Sequence, residues 1–333
     1  MPHITFLAMP ACSLSGIFFS IDAFSIANRY AAIKEDPGKD TSPLFTWDIV
    51  TLDGQSVEGE GRVMIQPHCS IHDIQKTDFI LIPGFLPPFD FRGRVTTELK
   101  EWLSKWHKKN TLIGAVCTGT FLLAETGMLN GKTATTNWIY AKTFRNAYPQ
   151  IKLKADRILT EDGGILCSGA TTSFQDMCLN LIERFGSEEL AEICSKALLL
   201  NKARKSQSPF FVFSYQKDHA DESVLKAQEM MEQKYIEPIS VDGLASDLGI
   251  STRHFIRRFK AATGDSPLLY LQRIRIEAAK AKLEKTRESI DEITLKVGYE
   301  NANSFRKLFR KNTGLSPKEY RMQFSRLHDT GRA

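Results

Sequence analysis

The sequence lacks paired cysteines. Its six cysteines form no CxxC pair and join no cluster with histidine, so neither a structural zinc site nor a disulfide scaffold is expected. No metal and no other cofactor is assigned. No uninterrupted apolar stretch reaches the roughly 20 residues that a membrane-spanning helix needs, and no membrane partner is expected. The apolar N-terminus, MPHITFLAMPACSLSGIFF, has no basic flank and is interrupted by polar residues. It reads as a buried strand followed by a helix, not as a signal peptide. A reduced cytoplasm is the expected compartment. Disorder is not indicated either, because 42% hydrophobic and 25% charged residues are ordinary for globular protein. The 333 residues exceed the about 250–300 at which single cores stop growing, so two domains are expected.

The net charge is small, +5, but unevenly spread. Residues 251–333 carry 19 Lys+Arg against 9 Asp+Glu, and the rest of the chain carries 25 against 30. An acidic front and a basic tail suit a sensor joined to a polyanion binder, although a solvated basic surface has the same composition.

The most informative feature is an internal repeat. Residues 250–270, ISTRHFIRRFKAATGDSPLLY, align with residues 299–320, YENANSFRKLFRKNTGLSPKEY. At an offset of 50, Phe255 matches Phe305, Phe259 matches Phe309, and Thr263-Gly264 matches Thr313-Gly314. Ser266-Pro267 matches Ser316-Pro317, and Tyr270 matches Tyr320. Upstream the offset is 49, pairing Val241, Leu244, Leu248 and Gly249 with Ile290, Ile293, Val297 and Gly298. Each unit reads as helix, tight turn, helix. The apolar residues fall on one helix face, Gly249 and Gly298 permit a sharp turn, and Ser251 and Asn301 suit N-caps. Ser266-Pro267 starts the helix of about 18 residues that joins the units.

The outer faces of the two second helices suit DNA. Arg253, Ile256, Arg257 and Lys260 share one side of the first, and Asn303, Arg306, Lys307 and Arg310 the equivalent side of the second. Arg can bond guanine bidentately, Asn adenine, and Lys or Arg neutralises phosphate. A single helical hairpin with a solvated basic face would say little; two in register point to double-stranded DNA. These motifs resemble the AraC family of transcription regulators over about 100 residues. The resemblance implies seven helices, with the recognition helices in successive major-groove segments. By position, Arg253, Ile256 and Arg257 would face bases in one, and Asn303, Ser304 and Lys307 in the other.

Upstream, strand-like runs at 3–8, 45–51, 79–82, 111–116, 133–136 and 165–168 alternate with helical patterns at 21–32, 96–108, 120–126, 138–147 and 173–185. This alternation predicts an α/β domain with a mostly parallel sheet sandwiched by helices, which binds ligands beyond the carboxyl ends of its strands. At one such end an apolar strand runs into Cys117-Thr118-Gly119 and a helix. That pattern permits a sharp nucleophile-type turn; a buried structural cysteine is the plainer reading. His68, His72 and His107 read as surface or satisfied core residues.

The region resembles the PfpI-type branch of the class I glutamine amidotransferase-like superfamily, and specifically the sensor half of GlxA-type AraC regulators. Phe24-Ser25-Ile26-Ala27-Asn28, Pro83-Gly84, Val116-Cys117-Thr118-Gly119, Ala134-Thr135-Thr136, and Cys167-Ser168-Gly169 ahead of a helix with Asp176 carry the resemblance. Residues 202–210, KARKSQSPF, look like that family's exit segment. The resemblance implies a flavodoxin-like sheet. Catalytic relatives place an acid near the end of the first strand, facing the cysteine; here stands Ser13-Leu14-Ser15-Gly16-Ile17, and Asp22 comes later. The position after cysteine is Thr118, and the one after the paired threonines is Asn137, where histidine occurs in relatives. No catalytic residue is therefore assigned.

The expected organisation is a sensor at 1–205, a linker at 206–220 whose aromatic run packs on a domain or a partner subunit, and a DNA-binding domain at 221–327. The expected function is a sequence-specific transcription regulator, not an enzyme. A small-molecule effector is expected near Phe18, Gly84, Cys117, Thr118, Asn137 and Trp138. A homodimer is expected, with RNA polymerase as a further candidate partner. The alternatives are a cysteine hydrolase or isonitrile-hydratase-like enzyme tethered to DNA, and a redox sensor using Cys117 as a sulfenate.

Overall fold

A computed structural model of the protein describes residues 1–35, 42–87, 91, 93, 95–201, 204 and 206–326. Contacts divide the chain into two units, Met1–Gln207 and Ser208–Ala333. The division falls inside the stretch 206–220 read as a linker. Part of the exit segment (202, 203, 205) and residue 327, the last of the expected DNA-binding domain, lie outside the described residues.

The first unit runs β1 (His3–Leu7), α1 (Ser15–Glu35), β2 (Thr46–Thr51), β3 (Val57–Glu58), β4 (Met64–Ile65), β5 (Cys69–Ser70) and β6 (Phe79–Ile82). It continues with α2 (Thr97–Lys108), β7 (Leu112–Val116), α3 (Gly119–Glu125), β8 (Thr133–Ala134), α4 (Ala141–Ala147) and β9 (Lys152–Leu153). β10 (Leu159–Asp162), β11 (Ile165–Ser168), α5 (Phe174–Phe185) and α6 (Glu188–Ala197) complete it. Seven strands form one sheet in the order β10-β11-β7-β6-β1-β2-β5. All its pairs are parallel except β10 with β11. Every residue of β6 and β11 is buried, as expected of parallel strands covered on both faces. This is the mostly parallel sheet with helices that the alternation predicts.

Several details differ from the expectation, among them the edge strands β5 and β10, which have no counterpart among the expected strands. α1 begins at Ser15, not near residue 21, because Ile17, Ser20, Ala23, Phe24 and Ala27 continue one fully buried helical face to its start. The run at 133–136 shortens to β8, which pairs with β9 outside the main sheet. The amphipathic helix α6, capped by Ser187 on the Leu190 amide, was not anticipated; it packs on α1 and α5.

In the second unit α7 (Glu222–Lys234), α8 (Val241–Asp247), α9 (Thr252–Thr263), α10 (Pro267–Lys285), α11 (Ile290–Lys296), α12 (Ala302–Thr313) and α13 (Pro317–Phe324) follow in order. They build two hydrophobic cores. One holds Phe255, Phe259, Tyr270, Leu271 and Ile274; the other holds Ile276, Leu283, Phe305, Phe309 and Tyr320. α10 contributes to both, so it is the beam on which two helix-turn-helix units are built. The aromatic run before α7 packs on this unit: Phe213 lies edge-on to Tyr270 at 5.1 Å, and Phe210 to Phe324 at 5.3 Å. Among the described residues no helix is long and apolar enough to cross a membrane.

Candidate functional site

Two places carry the expected functional residues: the outer faces of α9 and α12, and the turn after β7.

The repeat extends to hydrogen bonds. Ser251 caps α9 by accepting from the His254 amide, and Asn301 caps α12 by accepting from the Ser304 amide. Both helices end on a left-handed glycine, Gly264 at φ 84° and Gly314 at φ 76°. Thr263 Oγ1 donates to Phe259 O, and Thr313 Oγ1 to Phe309 O. Phe259 meets Tyr270 at 5.3 Å and 79°, and Phe309 meets Tyr320 at 5.4 Å and 84°. The turns before the helices use Gly249 at φ 66° and Gly298 at φ 82°, where other residues would be strained.

With the phenylalanines inside, Arg253, Ile256, Arg257 and Lys260 on α9 all stand exposed, as do Asn303, Ser304, Arg306, Lys307 and Arg310 on α12. Two arginines are held locally. Arg258 makes paired bonds to Asp221, at 2.9 and 2.7 Å, and so ties α9 to the start of α7. Arg306 reaches Asp291 on α11 at 2.7 Å and Asn303 Oδ1 at 3.3 Å, so reaching a ligand would require it to give up these bonds.

At the other place β7 ends at Val116 and Cys117 adopts φ 54°, a left-handed conformation rare outside glycine. The turn is clamped from several sides. Thr136 Oγ1 donates to Cys117 O at 2.7 Å. Thr118 Oγ1 lies 2.6 Å from both the amide and the carbonyl of Phe85. At Gly119 a Cβ would come 2.3 Å from Pro83 O, so only glycine lets the loop after β6 approach this closely.

The partners of Cys117 Sγ among the described residues are neutral: Asn137 Nδ2 at 3.5 Å and Thr171 Oγ1 at 4.0 Å. Asn137 is fixed in turn because its Oδ1 accepts from the Ile139 amide. Burial pushes the Cys117 thiol up from its ordinary value, against the hydrogen bonds from Asn137, Thr118 and Thr171. The thiol therefore stays protonated at neutral pH. Alkylation of Cys117 is expected to keep rising with pH past the ordinary thiol range; a plateau near neutrality would show an activated thiolate instead.

A cleft opens beside Cys117, lined among others by Ser13, Gly16, Gly84, Leu86, Thr171 and Phe174. The segment at which catalytic relatives carry an acid thus does face the cysteine, presenting hydroxyls and a glycine. Of the residues expected around an effector, Gly84 and Cys117 line the cleft. Thr118 and Asn137 are buried behind it, Trp138 is half-buried in the turn after Asn137, and Phe18 is 42% exposed. The cleft has a volume of about 10 Å³, room for one water. A larger cavity, about 210 Å³, lies between α5 and Leu199, Leu200, Asn201 and Arg204, where Asp176 and Arg204 pair. Of the histidines, His68 pairs with Asp48 and His72 with Glu98. His107 is lowered by burial and by Lys132. Sequence reasoning missed Thr171 and Phe174, whose place beside Cys117 comes from the pairing of β11 with β7.

Comparison with known proteins assigns both units. The DJ-1/PfpI family matches residues 44–184, and a helix-turn-helix domain family matches residues 244–323. The chain is 24% identical to the HTH-type transcriptional regulator CdhR of Pseudomonas aeruginosa, over 95% of this chain and 90% of that protein. It is 25% identical to the HTH-type transcriptional regulator GbdR of Pseudomonas aeruginosa, over 96% of this chain and 83% of that protein. In fold it resembles the crystal structure of a putative transcriptional regulator protein from Vibrio parahaemolyticus. That match has a TM-score of 0.52 at 21% identity and covers 59% of this chain and 98% of the other.

Proposed function

Starting from a helix-turn-helix transcription regulator of the AraC type that carries a DJ-1/PfpI domain in front, we propose that the first unit senses a small molecule beside Cys117. The second unit then binds double-stranded DNA through α9 and α12. The observation that carries the DNA half is the exposure of equivalent, largely basic faces on two helices whose other faces are built alike. Arg253, Ile256 and Arg257 read bases from α9, and Asn303, Ser304 and Lys307 from α12. Lys260, Arg306 and Arg310 serve the phosphates. RNA polymerase is the proposed partner at the promoter, and the cytoplasm the proposed compartment.

The sensing half rests on the clamped turn at Cys117 and the cleft it faces. Because that cleft holds about one water, an effector has to displace side chains such as Leu86 and Phe174. A state with the cleft open then differs in affinity for the effector from the closed one, which is what a population shift requires. The protonated thiol and its neutral partners support sensing over turnover, since a nucleophile needs a base or a lowered pKa. The left-handed Cys117 favours the second reading, a cysteine hydrolase or hydratase. Cys117→Ser in a reporter strain separates the two. Induction is expected to survive the change, perturbed only in effector affinity, because serine has a similar volume and can use the bonds of Asn137 and Thr171. Complete loss of induction, with normal protein level and DNA binding, would revive the enzyme.

A homodimer held through the first unit belongs to this reading, because two chains bound together gain affinity on a short operator. Light scattering on residues 1–207 is expected to give twice the monomer mass; a monomer at micromolar concentration contradicts it. The fragment is cut after Gln207 because that side chain is part of the unit's interior.

A further inference from the structure

Gln207 is the last residue of the first unit, and Ser208 opens the second. It belongs to a polar exit segment, yet it is only 3% exposed. Its side chain fills a slot whose wall is Gly169, where a Cβ would meet the Gln207 amide group at 2.3–2.5 Å. Within the slot its Oε1 accepts from the Ala170 amide at 2.7 Å. Its Nε2 lies 2.9 Å from both Ala155 O and Arg157 O, 3.1 Å from Thr136 O and 3.3 Å from Thr135 Oγ1. Three carbonyls on one side and an amide on the other fix which end is oxygen. The Gln207 backbone amide is also bound, to Asp156 O at 2.8 Å.

These partners support the Cys117 turn. Thr136, whose carbonyl Gln207 holds, donates its hydroxyl to Cys117 O. Ala170, whose amide Gln207 accepts, precedes Thr171, a residue of the cleft wall whose Oγ1 lies 4.0 Å from Sγ. Arg204 grips the same wall from behind, through Thr172 and Asp176. Residues 208–210 form a 3-10 turn in contact with α12, and the Phe211 carbonyl accepts from Lys280 Nζ on α10.

We propose that Gln207 is a coupling strut: opening the cleft beside Cys117 disturbs Thr136 and Ala170, loosens the buried Gln207 amide, and so frees or shifts the chain where it enters the DNA-binding unit. The inference rests on the sensing reading above and names the residue that would carry it. It makes Gln207 a positioning residue with no part in contacting an effector or DNA.

The test uses the full chain with Cys69→Ser, so that the half-buried Cys69 does not compete for reagent. Cys117 is carbamidomethylated with iodoacetamide at alkaline pH, which puts into the cleft a group larger than the water it has room for. Residue-resolved hydrogen exchange is then read at neutral pH. In the otherwise wild-type chain, labelling is expected to speed exchange of the Ala170 and Gln207 amides by about tenfold or more, the loss of one to two net hydrogen bonds. Gln207→Ala and Gly169→Ala, which empty and crowd the slot respectively, are expected to show the fast exchange before labelling and no further rise after it. The second variant leaves Gln207 itself intact and covers a failure of the first to fold. Labelled protein that keeps slow exchange at Gln207 overturns the proposal. So do variants that exchange like wild type, or a rise equally large in β1 and β6, which marks general loosening. Because iodoacetamide stands in for any effector, a negative reporter result with Cys117→Ser leaves this outcome readable.

Discussion

Phe309→Ala is expected to destabilise the second helix-turn-helix by about 3–5 kcal/mol and to abolish specific DNA binding. Phe309 is fully buried, with Phe305 at 5.7 Å and Tyr320 at 5.4 Å. It holds α12 against α13 and α10. Because the two cores are separate clusters that share only α10, the loss should be local first. Hydrogen exchange should accelerate through α11–α13 before α8 and α9. Simultaneous loss of both halves in one transition would show that α10 couples them more tightly than separate cores imply.

The second large effect concerns recognition. Arg257→Ala is expected to cost about 1–3 kcal/mol in specific binding, with no loss of stability, because the side chain is exposed and no hydrogen bond or ion pair to the described residues holds it in place. Lys260→Ala should instead weaken binding evenly across sequences and flatten its salt dependence, as loss of a phosphate contact does. The neighbouring Arg258→Ala serves as a contrast. Asp221 holds Arg258 in paired bonds, lowering the carboxyl and raising the guanidinium. That substitution should act through the anchoring of α7, not through base recognition. A titration against the mapped operator at two salt concentrations separates the three. Wild-type affinity for Arg257→Ala at moderate salt would put α9 outside the groove.

How much of this was legible depended on whether the signal was local. The helix-turn-helix units could be read because turn glycines, cap residues and inward aromatics all recur at a fixed offset. Each of those residues acts within a few positions of its partners. The turn at Cys117 could be read for the same reason, from a strand running into Cys117-Thr118-Gly119. Of its surroundings, the stretch at Ser13 and Gly84 could be placed only through the family resemblance, and Leu86, Thr171 and Phe174 could not be placed. They converge on Cys117 from separate segments, because the parallel sheet places β1, β6, β7 and β11 side by side. No spacing in the sequence encodes that order. Phe18 is expected at the cleft and does not line it. The helix starts early enough to turn Ile17, Ser20 and Phe24 inward and leave Phe18 outside. Gln207 lies in the exit segment that the resemblance marked, but nothing there pointed to burial: a glutamine in a polar stretch looks solvated, and the missing side chain of Gly169 makes its slot.

α10 has one further consequence, which concerns what the chain can tolerate by insertion. Its 19 residues make a rod about 28 Å long, at about 1.5 Å per residue. Both reading heads are bolted to it, so its length sets their separation and its winding sets their phase. One residue gained or lost inside it would swing one head by about 100° relative to the other. Such a change alters spacing by little and facing by a great deal, so a length change in α10 should be far less tolerable than one in the surface loops around it. The protein in effect carries its own ruler, marked in turns instead of ångströms.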